Sequence, residues 1–298
     1  MTTVLSIEKL SKNYGKIRAL NKLDMEVRKG QVFGLLGPNG SGKTTTLSII
    51  LGLLKSDDGS FSWFGENRGN ESRKRIGSVI ESPNFFPYLN AIQNLRIVAE
   101  IKDFDFSDID RVLLLTGLYE RRHSKFKTYS FGMKQRLAVA SALLGIPDVL
   151  ILDEPTNGLD PQGIVQMREI IRAVAVQGIT IILASHLLDE VQKICSHVAV
   201  LQHGHKLFDG EVTEVLTVSG YVEVASSDME KLNKTIRDYP GFISLERLEN
   251  TLLVRFGVSV VPEDVNRYLF EKGIILTHLS EKKRSLEQHF LELLQENQ

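Results

Sequence analysis

Nine consecutive residues, Gly37-Pro38-Asn39-Gly40-Ser41-Gly42-Lys43-Thr44-Thr45, carry the spacing G-x-x-x-x-G-K-[ST]. That spacing suits one task, the cradling of a polyphosphate. Glycines let backbone N–H groups approach an anion closely, and a helix N-terminus behind them adds its positive end. From such a loop Lys43 reaches the β- and γ-phosphates of a nucleotide, and the Thr44 hydroxyl is placed on Mg²⁺. A second chemical group lies downstream, where the apolar run Val149-Leu150-Ile151-Leu152 closes on Asp153-Glu154-Pro155. Asp153 is then expected to hold the cation through water, and Glu154 to polarise the water that attacks the γ-phosphate. Alone, two acids after a strand describe a solvated turn; the phosphate loop upstream favours the chemical reading. The third group is His186, which follows Thr180-Ile181-Ile182-Leu183-Ala184-Ser185.

Elements of defined geometry must position these groups. Val32-Phe33-Gly34-Leu35-Leu36 reads as a short buried strand, and Thr46-Leu47-Ser48-Ile49-Ile50-Leu51 opens a helix, so the loop sits at a strand-to-helix junction. Three such strands delivering Lys43, Glu154 and His186 at their carboxyl ends predict an open α/β sheet with its ligand along that edge. From about residue 82 to 137 the alternation gives way to helices: one opening at Asn90, one across Asp108 to Leu114, one from Gly132 through Leu143. After Gly210 the pattern changes again. Strands at Tyr221–Val224, Gly241–Glu246, Thr251–Phe256 and Ile274–Leu279 alternate with helices at Asp228–Tyr239 and Pro262–Lys272, and a terminal helix covers Ser285–Gln295. The order βαββαβα predicts a small ferredoxin-like α+β module. Its last helix is expected to pack on its own sheet, with partner binding the less favoured alternative.

Composition narrows the class. The chain has 298 residues, enough for one large domain plus a small one, with 24% charged residues and a formal net charge of −1. No global field therefore recruits nucleic acid or anionic lipid. The basic run Arg121, Arg122, Lys125 and Lys127 lacks interleaved stacking aromatics and reads as a solvated face. A single cysteine, Cys195, cannot form an internal disulfide, and the N-terminus MTTVLSIEKL has no basic region followed by a long apolar core. Apolar runs stop well short of the ~20 residues needed to cross a bilayer. These features predict a cytoplasmic protein whose membrane attachment, where it has one, is through a partner.

With these motifs in this order, the chain resembles the nucleotide-binding subunit of ATP-binding cassette (ABC) transporters over about residues 1 to 213, with a helical subdomain at about 82–137 and an accessory domain at 214–298. The resemblance implies a P-loop cassette that binds ATP and Mg²⁺ and hydrolyses ATP. It matches Tyr14 to the aromatic that stacks on adenine, Gly37 to Thr45 to the phosphate loop, Asp153 and Glu154 to the Walker B acids, and His186 to the switch histidine at the γ-phosphate. It matches Asn157-Gly158-Leu159-Asp160 to the loop that crosses between subunits. The family signature, LSGGQ in its common form, stands here as Tyr129-Ser130-Phe131-Gly132-Met133. Ser130 and Gly132 are retained at a helix start, where the family's hydroxyl and N–H meet the γ-phosphate held by the opposite subunit. Phe131 and Met133 replace a glycine and a glutamine.

A second departure is Glu81, where the family usually has a glutamine reaching the Mg²⁺ and the attacking water; a carboxylate adds charge beside a cation and a polyphosphate. Glu81 together with YSFGMKQR resembles the branch that contains the ATP-binding subunits of bacitracin-resistance and lantibiotic self-protection exporters. That implies export rather than uptake, through a separate polytopic membrane subunit, by a peripheral protein on the cytoplasmic membrane face working as a dimer of nucleotide-binding subunits. Phe85, Phe86 and Tyr88 could line the groove for a membrane-subunit helix or could fill the helical subdomain's core. For the accessory domain, docking or dimer stabilisation is the leading expectation. The alternative is a soluble ABC ATPase acting on ribosomes or DNA. A single phosphate loop with only about 85 residues after the cassette, and no sustained heptad run, argue against it.

Overall fold

The computed structural model describes residues 2–65, 70–80, 84–213, 221–257 and 260–282. The chain divides into two compact units, Met1–Asp209 and Gly210–Gln298.

The first unit opens with β1 (Thr3–Tyr14) and β2 (Ile17–Arg28), which pair antiparallel; β4 (Asp58–Trp63) joins the other side of β1, giving the order β2-β1-β4. Alternation buries Leu20, Leu23, Met25 and Val27 of this sheet in the main apolar core. The second sheet has six strands. β3 (Val32–Leu36), β5 (Ile76–Val79), β6 (Val149–Asp153), β7 (Thr180–Ser185), β8 (His197–Gln202) and β9 (His205–Glu211) lie in the order β5-β6-β7-β3-β8-β9. The pairs β5–β6, β6–β7, β7–β3 and β3–β8 are all parallel. Every residue of β3 and β7 is buried, as the continuous apolar runs require of strands covered on both faces. Each fully buried Leu, Ile or Phe stabilises the fold by about 1.5–3 kcal/mol relative to exposure.

Register does the positioning. Leu36 pairs with Ser185, and Asp153 pairs with Ala184, so the residues that follow β3, β6 and β7 leave the sheet at one level. Those residues are Gly37, Glu154 and His186. Helix α1 (Lys43–Ile50) begins three residues earlier than the Thr46 start expected from its apolar pattern. The loop itself supplies the first turn: Thr46 donates to Gly42 O through both its backbone N–H and its hydroxyl, each at 2.9 Å. After α2 (Asn70–Lys74) and β5 come α3 (Ala91–Lys102), α4 (Asp108–Leu115) and α5 (Phe131–Ala142). Among the described residues from 84 to 137 no strand forms. Asn90 and Gln93 close α3 with a reciprocal capping box. Further along this unit, among the described residues, come α6 (Pro161–Val176) and α7 (Leu188–Ile194), neither of them singled out from sequence.

In the second unit, β10 (Tyr221–Ser226), α8 (Met229–Ile236), β11 (Phe242–Arg247), β12 (Leu252–Phe256), α9 (Pro262–Glu271) and β13 (Leu276–Lys282) follow in that order. The sheet order is β11-β12-β10-β13, with antiparallel pairs throughout. Val222, Val224, Leu252, Val254 and Phe256 form one core with Leu232, Ile236, Val265 and Leu269 of the helices. Ile274, expected to begin the last strand, is buried just ahead of it. The helix expected at Ser285–Gln295 lies outside the described residues.

Candidate functional site

Lys43 is 6% exposed, and its ammonium donates to Gly37 O at 2.8 Å and Pro38 O at 3.3 Å, so the loop wraps its own lysine. Two glycines show why the sequence must be glycine-rich here. A Cβ on Gly37 would lie 2.3 Å from Leu201 O, and one on Gly42, at φ +111, would lie 2.6 Å from Ala19 O. The Ser41 hydroxyl is buried without a hydrogen-bond partner among the described residues. Asn39, Gly40, Gly42, Thr44 and Thr45 line a cleft of about 300 Å³, with Tyr14, Ile17 and Ala19 on one side and Glu154 on another. Tyr14 is 50% exposed there, so it is not a core residue. Ile17 and Ala19 were not anticipated; they sit where the β1–β2 turn brings the strand after Tyr14 back beside it.

The acids meet the loop from β6. Thr44 Oγ1 donates to Asp153 Oδ2 at 2.8 Å. Glu154 has φ +48, in the left-handed region that costs a residue with a side chain on the order of 1–3 kcal/mol. Its backbone holds it there: Glu154 N donates to Ala184 O at 2.9 Å, and Asn157 N donates to Glu154 O at 3.0 Å. The strained turn aims the carboxylate between the Lys43 ammonium and the His186 ring. Glu154 Oε1 is 3.4 Å from Lys43 Nζ, and Oε2 is 2.8 Å from His186 Nδ1. The three groups read from three separate stretches of sequence therefore converge.

Ser130, Gly132 and Asp160 do not join that cleft. With Gly158 and Leu159 they line a second one of about 380 Å³. Ser130 caps α5 by accepting from Met133 N at 3.3 Å, and Asp160 caps α6 by accepting from Gly163 N at 2.8 Å, so two positive helix ends face this cleft. Ahead of Ser130, the buried Tyr129 anchors the turn by donating to Arg121 O at 2.8 Å. Burial raises the Tyr129 phenol's pKa, against the opposing fields of Arg121 and Arg136. Arg136 also lines the cleft, and its guanidinium donates to Thr116 O and Gly117 O. Of the aromatic trio, Phe85 packs on Phe126 with ring centroids 5.3 Å apart, whereas Phe86 and Tyr88 are exposed. Glu81 lies outside the described residues.

A sheet with its phosphate loop where strand order reverses, and a carboxylate poised beside the loop lysine, define a nucleotide-binding cassette. Comparison with known proteins agrees. The ABC transporter family model matches residues 20–157. The bacitracin transport ATP-binding protein BcrA of Bacillus licheniformis is 36% identical over 99% of this chain and 98% of its own length. The lantibiotic transport ATP-binding protein SrtF of Streptococcus pyogenes is 39% identical over 70% of this chain and 91% of its own. Among solved structures, cbiO1 from Clostridium perfringens, part of the ABC transporter complex cbiONQ, superposes with a TM-score of 0.65 at 29% identity, covering 80% of this chain and 97% of that one. The chain belongs to the ATP-binding subunits of ABC transporters.

Proposed function

We propose that this subunit hydrolyses ATP with Mg²⁺ to power export through a separate polytopic membrane subunit, working as a head-to-tail dimer. The observation that carries the reading is the division of the motifs over two clefts of one chain: the phosphate loop and Glu154 in one, Ser130, Gly132 and Asp160 in the other. Neither cleft alone encloses a nucleotide with the whole set, and a second copy brought head-to-tail supplies the missing half to each. The more closed state binds ATP more tightly, and that difference in affinity is the work available to the membrane subunit.

Roles follow the geometry. Tyr14 offers an exposed ring for adenine, and the loop N–H groups and Lys43 hold the phosphates. Glu154 holds the proton-accepting oxygen for the attacking water, with His186 on that carboxylate and close to where the γ-phosphate would lie. Thr44 and Asp153, a hydroxyl and a carboxylate already 2.8 Å apart, are the hard oxygen donors that suit Mg²⁺. No cluster of three His, Cys, Asp or Glu among the described residues could hold a metal by itself, so these two donors would share the ion with phosphate oxygens and water. When bound, the cation neutralises charge on the β- and γ-phosphate oxygens. Glu81 is proposed as a further group near this metal.

Export rather than uptake is supported by the likeness of the YSFGMKQR signature to the exporter branch, and bacitracin and lantibiotics, the compounds in the names of BcrA and SrtF, are the first cargoes to test. We place the cassette at 1–213 and a ferredoxin-like accessory domain at 214–298, the latter supported by its strand order and by helices interleaved as βαββαβ. No helix among the described residues is long and apolar enough to cross a membrane, which fits peripheral attachment at the cytoplasmic face through the partner. Co-purification from solubilised membranes tests the reading: a polytopic membrane protein should accompany the chain. Ribosomes or DNA in its place would replace the exporter by a soluble ABC ATPase.

A further inference from the structure

The residue that makes this signature unusual, Phe131, has a defined neighbour. Its ring carbon Cε1 lies 3.2 Å from the point a Cβ would occupy on Gly158, and Leu159 Cδ2 lies 3.5 Å from the corresponding point on Gly132. Each loop thus places an apolar side chain over the other loop's glycine. Gly158 is at φ +74, so it is glycine for its backbone and for the room it leaves the ring. Phe131 remains 45% exposed, which sets it apart from an ordinary core aromatic. The loop it touches is tied at its other end to the backbone of Glu154, because Asn157 N donates to the Glu154 carbonyl oxygen at 3.0 Å and Leu159 N to Thr156 O at 3.3 Å. A continuous path of packed and hydrogen-bonded groups therefore runs Phe131, Gly158, Asn157, Glu154. It starts in the cleft that would meet the partner's nucleotide and ends in the cleft that holds this chain's own.

We propose that Phe131 is a positioning residue that clasps the signature turn to the 157–160 loop, so that engagement of the partner's nucleotide at Ser130 and Gly132 sets the placement of this chain's Glu154. A glycine at position 131 would leave the two loops free to move separately; the phenyl ring makes them one body. The inference rests on the dimer reading given above. Coupling between packed neighbours with two shared arrangements is the physical form such communication takes.

The test compares Phe131→Ala, Phe131→Leu and Gly158→Ala with the unaltered chain, and with Phe131→Ala/Gly158→Ala, measuring ATPase rate against ATP concentration and, separately, binding of a fluorescent ATP analogue to the isolated chain. Phe131→Ala should leave analogue affinity within about twofold, lower kcat roughly tenfold, and bring the Hill coefficient towards one. Phe131→Leu, which keeps an apolar group over Gly158, should recover most of both. Gly158→Ala pushes a methyl towards the ring, and its further loss of kcat should be smaller in the Phe131→Ala background. An unchanged kcat and Hill coefficient in Phe131→Ala, or equal and additive losses in all variants including Phe131→Leu, would overturn the clasp. Failure of the dimer reading is a separate result, seen when a Glu154→Gln chain with normal Phe131 does not associate on adding ATP.

Discussion

Glu154 Oε2 stands 2.8 Å from His186 Nδ1, while the same carboxylate's Oε1 is 3.4 Å from Lys43 Nζ. In this arrangement the side chain proposed to take a proton from water is engaged by the histidine and faces the lysine proposed to hold phosphate. On the proposed mechanism, nucleotide phosphates entering the loop would offer Lys43 a stronger set of acceptors and free one carboxylate oxygen for water. The Lys43 carbonyl contacts, to Gly37 and Pro38, keep the ammonium in place meanwhile.

Removing the base should separate binding from chemistry. General-base catalysis contributes about 10²–10⁴-fold, so Glu154→Gln should bind MgATP, turn it over slower by that factor, and accumulate as an ATP-bound dimer on size-exclusion chromatography. Near-normal ATPase activity would remove Glu154 from the role.

Tyr14 presents a different kind of test, because its ring is half-exposed beside the phosphate loop. Tyr14→Ala should leave the melting temperature within a degree or two. ATP affinity should drop, since a base stacked on an aromatic is worth about 1–3 kcal/mol in nucleic-acid systems, roughly five- to 150-fold. Calorimetric titration with ATP reads the difference. Equal affinity with a lowered melting temperature would make Tyr14 structural after all.

Much of this site could be read from the chain, and the reasons are local. β3, β6 and β7 are short, predominantly apolar runs that end on a glycine-rich loop, an acid pair and a serine–histidine pair, so each announced both a buried parallel strand and the residues it delivers. β1 and β2 gave no such signal. In β2, Leu23, Met25 and Val27 do alternate with charged residues, whereas the several register shifts of the β1–β2 pairing interrupt that period-2 pattern in β1. The clasp was hidden for another reason: Phe131 and Gly158 are adjacent only because α5 and α6 begin side by side, and sequence showed only that a glycine had been lost from the signature. Arg136, beyond the signature, is similarly placed by folding alone.

The helical subdomain carries a pH-dependent tie. Asp108 accepts from Arg111 Nη2 and from Gly145 N, each at 2.9 Å, and Arg111 also donates to Leu143 O at 2.9 Å, which joins the start of α4 to the end of α5. Burial works to raise the Asp108 carboxyl, but the Arg111 and Gly145 hydrogen bonds outweigh it and hold the pKa below the usual aspartate range. A depressed folded-state pKa stabilises the fold fully above the unfolded value, about 3.9, and the contribution is lost as pH falls through the folded one. Asp108→Asn should therefore cost about 1–2 kcal/mol at pH 7, a figure discounted for partial solvent screening. The gap to wild type in urea melts should narrow below about pH 4. A gap constant with pH would assign the loss to packing instead of charge.

Glu81 offers the sharpest contrast between this chain and the common family pattern. It follows β5 in sequence, and β5 pairs in parallel with β6, the strand that delivers Asp153 and Glu154, with Val79 opposite Leu152. A carboxylate near the cation attracts metal and repels the γ-phosphate, two effects of opposite sign on rate. Metal dependence isolates the first. Glu81→Gln should raise the Mg²⁺ concentration needed for half-maximal ATPase activity at saturating ATP, with the maximal rate left free to move either way. Glu81→Ala should do the same and, on the proposed placement of Glu81 between nucleotide and helical subdomain, also weaken coupling to the membrane subunit. Magnesium titrations on all three proteins, with transport or antibiotic resistance measured in parallel, decide the matter. Superimposable metal curves with intact transport would make Glu81 an ordinary surface acid and leave the exporter assignment resting on the signature and the relatives.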